Sequence, residues 1–166
     1  MSKVLSIIAP EGFQDKEYDD SKTAIEAAGH TVITASTADM AKGKFGLQVE
    51  TDVLLSDAEV DDYDAIVFIG GPGCEEYFDD PDALNLAQDF YNDGKLTCAI
   101  CAAPAILAHA GLLDDKKATC WKGVSGILKE YGADYSAKDV EQDGLIITGS
   151  GPAAATAFGE AVAKTL

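Results

Sequence analysis

The sequence predicts a three-layer α/β/α sandwich around a mostly parallel β-sheet. Apolar runs of strand length alternate along the chain with segments of helix length, and strands that alternate with helices form parallel βαβ units. The run at residues 4–10 is apolar throughout, which is typical of a strand buried on both faces. The 166 residues are expected to form one domain with a substantial core.

The first third of the chain begins with a strand–helix–strand unit. After the strand at residues 4–10, residues 14–29 are predicted as a helix that ends at a glycine, and residues 31–36 as the second strand. Residues 38–56 then interrupt the rhythm with glycines and alternating residues, which indicate a pair of short strands. The acidic residues 57–62 are predicted to be helical or looped.

The rest of the chain returns to alternation. The strand that begins at Ala65 runs into a Gly-Gly turn, which permits positive φ angles and close backbone approach. The remaining strands are predicted at residues 96–100, 117–120 and 145–149, and the remaining helices at 81–91, 104–111, 124–131 and 153–164.

A cysteine lies at the junction between one of these strands and the next helix. Cys101 directly follows the apolar run 96–100, and Pro104 opens an Ala/Leu-rich helix. Proline suits a first helical turn, and the small residues after the cysteine permit the sharp turn of a nucleophile elbow. The helix N-terminus is expected to favour the thiolate and to lower the thiol pKa. Alternatively, Cys101 is a small buried hydrophobic residue at a strand end.

Three candidate features follow three of the predicted strands. Glu17 comes after the first strand, Gly70 and Gly71 follow the strand that begins at Ala65, and Cys101 follows the elbow strand. Because ligand sites of parallel sheets lie at the carboxyl ends of the strands, we expect these features to share one site. The GGPG turn is not a dinucleotide-binding motif, because it lacks the G-x-G-x-x-G spacing.

The charge of the chain argues against several partners. It has 29 acidic residues, 12 basic residues that are all lysines, and a net charge of −17. Such a surface is expected to repel nucleic acid and anionic membranes, and the lack of arginine argues against anionic substrates held by an arginine fork. No apolar run is long enough to span a bilayer and no signal pattern appears, so a cytoplasmic location is expected.

The four cysteines show no closely spaced metal or disulfide pattern. Cys98 and Cys101 are spaced as C-x-x-C, but strand alternation is expected to turn Cys98 away from the elbow, so neither a redox pair nor a zinc site is predicted. Cys74 is expected near the mouth of the pocket, where it could resolve an oxidised Cys101 as a disulfide or have no role. Cys120 is expected to be packed or to border the pocket.

Three stretches of the chain resemble the PfpI/ThiJ superfamily. They are the elbow AICAAPAILAHAGLL, the segment PEGFQDKEYDD after the first strand, and the ending VEQDGLIITGSGPAAATAFGEAVAKTL. The similarity keeps the same order over nearly the whole chain. It implies the flavodoxin-like, class I glutamine amidotransferase-like fold of that family, a homodimer, and chemistry that requires no cofactor or metal.

The resemblance also implies roles for individual residues. Cys101 corresponds to the nucleophile, Glu17 to the glutamate that contacts it, and the N–H groups of Gly71 and Ala102 to an oxyanion hole. A charged Glu17 would raise the cysteine pKa, whereas a protonated one, favoured by burial, could donate to the thiolate and shuttle protons. The alternative is that Glu17 is an exposed acid in an acidic segment.

The chain departs from the family pattern at several positions. Protease-like members have a histidine where this chain has Ala102, so Glu75, which matches the acid of their triad, has no histidine to orient. Another branch has a histidine where this chain has Trp121, whose indole can donate a hydrogen bond but cannot carry a proton. No arginine precedes Gly151, so an arginine clamp is not expected. The candidate pocket residues are Gly70, Cys74, Glu75 and Trp121.

The two histidines are not expected to act as catalytic bases. His30 lies in a helix-to-strand turn and is predicted to be exposed. His109 lies at the end of the elbow helix, near a position where relatives carry a histidine that is structural or interfacial. A histidine that serves as a base must lie close to the nucleophile, and neither segment suggests this.

The resemblance implies glyoxalase or deglycase activity on small reactive carbonyl compounds, and this is the leading functional hypothesis. In this reaction Cys101 attacks an aldehyde, Glu17 moves the proton, and water releases a hydroxy acid without glutathione. A rival hypothesis is a non-enzymatic redox sensor or chaperone, linked to oxidative stress, in which Cys101 is oxidised to sulfinic acid. A third hypothesis, a cysteine peptidase or amidase, is disfavoured by Ala102.

Overall fold

The computed structural model describes residues 1–166. Its strands are β1 (Lys3–Ile7), β2 (Glu11–Phe13), β3 (Thr31–Ser36), β4 (Met40–Gly43), β5 (Gln48–Glu50), β6 (Val53–Leu54), β7 (Ala65–Phe68), β8 (Leu96–Ile100), β9 (Lys117–Ala118), β10 (Asp134–Tyr135), β11 (Val140–Asp143) and β12 (Ile146–Gly149). Its helices are α1 (Asp15–Ala27), α2 (Pro81–Asn92), α3 (Pro104–His109), α4 (Ser125–Glu130) and α5 (Ala155–Thr165). None of the helices has the length and apolarity that a membrane span requires.

A seven-stranded sheet forms the centre of the structure. Its strand order is β11-β12-β8-β7-β1-β3-β6, and every neighbouring pair is parallel except β11 with β12. The carboxyl ends of the parallel strands β1, β7, β8 and β12 therefore lie on the same side of the sheet. Most of their residues are buried, as the continuous apolar runs predict.

The helices cover both faces of this sheet. The connection β1–α1–β3 leads toward one edge and β7–α2–β8 leads toward the other, so right-handed crossovers place α1 and α2 on opposite faces. Helix α5 packs against α1, and α3 packs against α2. The predicted three-layer flavodoxin-like sandwich is confirmed. The reversal of strand order between β1 and β7 marks the point where such folds bind ligands.

Short strands account for most differences between the prediction and the structure. Residues 38–56 contain not two but three short strands: β4 and β5 form a small sheet with β2, and β6 joins the edge of the central sheet. Strands β2, β10 and β11 were absent from the sequence prediction. They are two to four residues long and only partly buried, so they lack the continuous apolar run that identifies the central strands.

A glycine allows the two helices of one layer to approach closely. A Cβ atom at Gly159 of α5 would lie 2.8 Å from the Ser21 carbonyl oxygen and 2.9 Å from the Ala24 Cβ atom of α1. These are backbone and short side-chain atoms that cannot move aside without moving the helix. The position of α1, which carries Glu17, therefore depends on the absence of a side chain at residue 159.

We expect Gly159→Ala to lower the free energy of unfolding by about 1–3 kcal/mol, because the added methyl group overpacks the α1–α5 contact. Gly126→Ala in α4 is the matched control, since a Cβ atom there meets no atom within 4 Å. That substitution should raise stability by about 0.4–1 kcal/mol. Urea denaturation measures both; equal stability of Gly159→Ala and the wild type would contradict the proposed close contact.

Candidate active site

Cys101 lies in a strained turn directly after β8. Its φ angle is 65°, in the left-handed region that residues other than glycine rarely adopt. The strain is held by two hydrogen bonds: the Cys101 N–H donates to the Gly149 carbonyl (2.8 Å), and the Cys101 carbonyl accepts from the Trp121 N–H (2.7 Å). Such strain costs about 1–3 kcal/mol and is concentrated at functional sites. The residue is 8% exposed and lines a cavity.

Glu17 faces this cysteine from the first turn of α1. The helix begins after Gln14, whose side-chain oxygen accepts a hydrogen bond from the Lys16 N–H (2.8 Å). Glu17 has no exposed surface, so it is not the exposed acid of the alternative interpretation. Its Oε1 atom accepts from the Gly70 N–H (3.0 Å), and its Oε2 atom is buried without a hydrogen-bond partner of regular geometry. An unpartnered buried carboxyl oxygen is a position that favours a bound proton.

Two glycines after β7 allow the cysteine and the glutamate to come together. A Cβ atom at Gly70 would lie 2.7 Å from the Cys101 Cβ atom and 2.8 Å from Glu17 Oε1. Gly71 has a φ angle of 106°, and a Cβ atom there would lie 2.5 Å from the Gln14 nitrogen and 2.6 Å from the Gly12 carbonyl oxygen. The absence of a side chain at Gly70 thus leaves room for Glu17 and Cys101 to meet, and the Gly71 N–H faces the thiol.

Burial and mutual contact determine the protonation of this pair. Burial raises the pKa of Glu17 to about 7, although hydrogen bonds from the Cys101 side chain and the Gly70 N–H lower it. Burial, the Glu17 charge and the Glu17 hydrogen bond raise the pKa of Cys101 to about 12. The N–H groups of Ala102 and Gly71 lower it by a smaller amount. The sequence-based expectation of a lowered thiol pKa is therefore wrong for the state with a charged Glu17.

The two N–H groups assigned to an oxyanion hole both point toward the thiol. Neither the Gly71 nor the Ala102 N–H donates to a backbone carbonyl, and both act on the Cys101 sulfur. Unpaired backbone donors beside a nucleophile can stabilise negative charge on the sulfur or on an oxygen that develops next to it.

The thiol opens into a cavity of about 600 Å³. The apolar residues of its lining include Phe78, Trp121 and Ile127. Lys44 and Glu75 are the only lysine and the only acidic residue in the lining. The complete lining is Gln14, Lys44, Gly71, Pro72, Glu75, Phe78, Cys101, Ala102, Trp121, Gly123, Val124, Ile127 and Pro152. A cavity of this size and polarity suits a small organic substrate.

The structure separates the four additional candidate pocket residues. Glu75 and the half-exposed Trp121 line the cavity. Gly70 lies behind it, against Glu17 and Cys101. Cys74 does not lie at the pocket mouth: its side chain is fully buried in the 3₁₀ turn Pro72–Tyr77, because that turn folds inward after the Gly-Gly bend. Cys120 is also buried and does not line the cavity.

Neither histidine lines the cavity. His30 accepts a hydrogen bond from the Ser2 N–H through Nδ1 (3.0 Å). His109 lies 3.3 Å from an Asp79 carboxylate oxygen and stacks on the Tyr131 ring, with a centroid separation of 5.0 Å. Both contacts are consistent with structural roles. No three histidine, cysteine or acidic side chains are grouped as ligands for a metal ion.

Sequence reasoning missed most of the cavity wall. Lys44 lies in the turn between β4 and β5, Phe78 follows the 3₁₀ turn after Gly71, and Ile127 lies on α4. These segments are far apart in the chain and carry no shared motif. The only sequence signal was positional, since Phe78 and Pro152 each follow a strand whose carboxyl end faces the site.

Comparisons with known proteins agree with this geometry. Residues 2–165 match the DJ-1/PfpI family. An uncharacterized protein from Methanocaldococcus jannaschii is 37% identical over 99% of this chain and 82% of its own length. A deglycase from Thermococcus kodakarensis is 31% identical over 90% of each chain.

A solved structure extends the comparison to three dimensions. The crystal structure of a ThiJ/PfpI domain protein from Brachyspira murdochii superposes with a TM-score of 0.95 at 31% identity, covering 98% of this chain and 94% of the other. The resemblance seen in the elbow and in the two flanking stretches is thus confirmed over almost the entire length. The chain belongs to the DJ-1/PfpI family.

Proposed function

We propose that this protein converts small reactive carbonyl compounds, 2-oxoaldehydes and their adducts, by covalent chemistry at Cys101 without cofactor or glutathione. The observation that carries the proposal is the pairing of the strained Cys101, which lines the cavity, with the fully buried Glu17 beside it. Relatives named as deglycases, among them the Thermococcus kodakarensis protein, support the same reaction class.

The Glu17–Cys101 pair loses its first proton near pH 7, so it carries one negative charge above that pH. With the first proton lost near pH 7, the remaining proton is held by either the carboxyl group or the thiol. We assign it to Glu17 Oε2, which has no other hydrogen-bond partner, and the charge to the sulfur, which faces the N–H groups of Gly71 and Ala102. Protonation of Glu17 removes the charge that adds to burial in raising the thiol pKa, and it leaves the N–H groups of Ala102 and Gly71 to oppose the effect of burial.

The reaction follows from this arrangement. The Cys101 thiolate attacks the aldehyde carbon of methylglyoxal, and the oxygen receives the Glu17 proton to give a hemithioacetal. The Glu17 carboxylate then removes the proton from that carbon and returns it to the neighbouring carbon, while the hydroxyl proton passes from the first oxygen to the second, which converts the adduct into a lactoyl thioester. Water hydrolyses the thioester, so lactate leaves and the thiol is regenerated. The N–H donors stabilise the oxygen anion during attack and hydrolysis.

Oxidation of Cys101 is the second candidate function. No histidine lines the cavity, so the only proton carrier beside the thiol is Glu17, and a protonated carboxyl group is also suited to stabilise an oxidised sulfur by a hydrogen bond. The same absence removes the base that a cysteine peptidase requires next to its nucleophile. Selective oxidation of Cys101 by peroxide, in a protein that does not turn over carbonyl compounds, would favour this second function.

We expect purified protein to form lactate from methylglyoxal without glutathione, and Cys101→Ala and Glu17→Gln to reduce the rate at least about 100-fold. Glu11→Gln, which alters an exposed acid near α1, is the control and should retain wild-type activity. Lactate is measured in an amine-free buffer, because amines consume the aldehyde. Wild-type lactate formation no faster than that of Cys101→Ala would contradict the proposed function.

We expect the contribution of Glu17 to the stability of the wild-type protein to fall between about pH 4.5 and pH 7. The pKa of Glu17 is higher in the folded state than its usual value of 4.5, so the folded state holds one more proton in this range and loses stability as that proton is released. The full effect is roughly 3 kcal/mol. The effect depends only on how many protons the Glu17–Cys101 pair holds in the folded state. It does not depend on whether the carboxyl group or the thiol keeps the remaining proton.

Glu17→Gln provides the comparison for this pH dependence. Glutamine imitates the protonated acid and cannot ionise, so the difference in unfolding free energy between the variant and the wild type should grow in favour of the variant as the pH rises to 7. Urea denaturation at several pH values measures this difference. A constant difference across the range would show that Glu17 has an ordinary pKa in the folded protein.

A further inference from the structure

Lys44 is the only basic side chain that lines the cavity. It belongs to a molecule with a net charge of −17, so a cation that lines the cavity is opposite in sign to the overall charge. Its ammonium group forms no ion pair, whereas Lys16, Lys22, Lys95 and Lys138 do. Its Nζ atom lies 5.4 Å from the centroid of the neighbouring Phe45 ring.

The backbone that carries Lys44 is firmly held beside the reactive pair. The Lys44 N–H donates to the Phe13 carbonyl (2.8 Å), next to the cavity residue Gln14. The Asp15 carboxylate accepts from the N–H groups of Phe45 (2.9 Å) and Leu47 (2.8 Å). Asp15 is the first residue of α1, two residues before Glu17. The N-terminal end of α1 therefore positions both Glu17 and the turn that carries Lys44.

We propose that Lys44 forms a carboxylate-binding subsite, so that the cavity prefers carbonyl compounds and carbonyl adducts that carry a free carboxylate. The inference rests on the proposed function for the carbonyl group of the substrate. It rests on the position of Lys44 in the cavity lining for the negative charge of the substrate. A single ammonium group binds a carboxylate as a point charge, without the planar fork of arginine, so the lack of arginine in the chain does not oppose it. Glu75 also lines the cavity, and its negative charge repels a carboxylate, which limits the preference for substrates that carry one.

Alkylation of Cys101 tests this subsite without relying on turnover. Iodoacetate and iodoacetamide differ by one carboxylate, and with both reagents the sulfur bonds to the methylene carbon while iodide leaves with the bonding electrons. The rate at Cys101 is followed by mass spectrometry of its peptide. We expect the iodoacetate-to-iodoacetamide rate ratio to fall about threefold in Lys44→Gln, to be retained in Lys44→Arg, and to rise in Glu75→Gln.

Lys42→Gln is the matched control. Lys42 is an exposed lysine of β4, two residues from Lys44, and does not line the cavity. The variant has the same net charge as Lys44→Gln, so it reports any general effect of the change in surface charge. The rate ratio should stay at its wild-type value. An unchanged ratio in Lys44→Gln, or an equal fall in Lys42→Gln, would overturn the proposal.

A substrate pair connects the subsite to the proposed function. Methylglyoxal hemithioacetals of N-acetylcysteine and of its amide differ by the same carboxylate, and lactate release from each gives kcat/KM. We expect the preference for the carboxylate adduct to fall about threefold in Lys44→Gln, mainly through KM. A charge effect on alkylation without lactate release would reject the proposed function while supporting the subsite, so the two failures are distinguishable.

Discussion

The contact between the Glu17 carboxyl group and the Cys101 thiol is the constraint on which the rest of the site depends. Two groups that both lose protons are placed side by side, away from solvent, where one negative charge is tolerated and two are strongly disfavoured. The fold makes this contact possible because the residue that packs against both side chains, after the end of β7, is Gly70, which has no side chain. Any larger residue there would force the pair apart.

The energetic cost of this arrangement is distributed over the surrounding fold. The left-handed Cys101 is held by hydrogen bonds to β12 and to the segment before α4, so elements from the second half of the chain maintain its strain. Glu17 is held by the start of α1, whose packing on α5 depends on the close contact at Gly159. Asp15 ties the turn with Lys44 to the same helix end. A shift of α1 would therefore disturb the acid and the proposed subsite together.

The sequence predicted the reactive centre better than the cavity around it. Cys101, Glu17 and Gly71 follow strands in a pattern of alternating strands and helices, and the topology then requires that they converge at one edge of the sheet. Lys44, Phe78 and Ile127 could not be found in this way, because each comes from an irregular or short segment whose position depends on tertiary contacts.

Two further failures also have physical causes. The prediction that Cys74 lies at the pocket mouth assumed that a loop after a Gly-Gly turn is exposed, whereas this loop folds into a buried 3₁₀ turn. The prediction of a lowered thiol pKa considered only the helix N-terminus. In the state with a charged Glu17, the structure adds burial and a neighbouring carboxylate, which raise the thiol pKa by more than the backbone N–H groups lower it.

The position of the shared proton tests the central claim most directly. Difference infrared spectroscopy between the wild type and Glu17→Gln at neutral pH reports the carbonyl stretch of Glu17, and ultraviolet absorbance compared with Cys101→Ala reports the thiolate. The account predicts a protonated carboxyl band together with thiolate absorbance in the same sample. A carboxylate band without thiolate absorbance would place the proton on sulfur and contradict the proposed nucleophile.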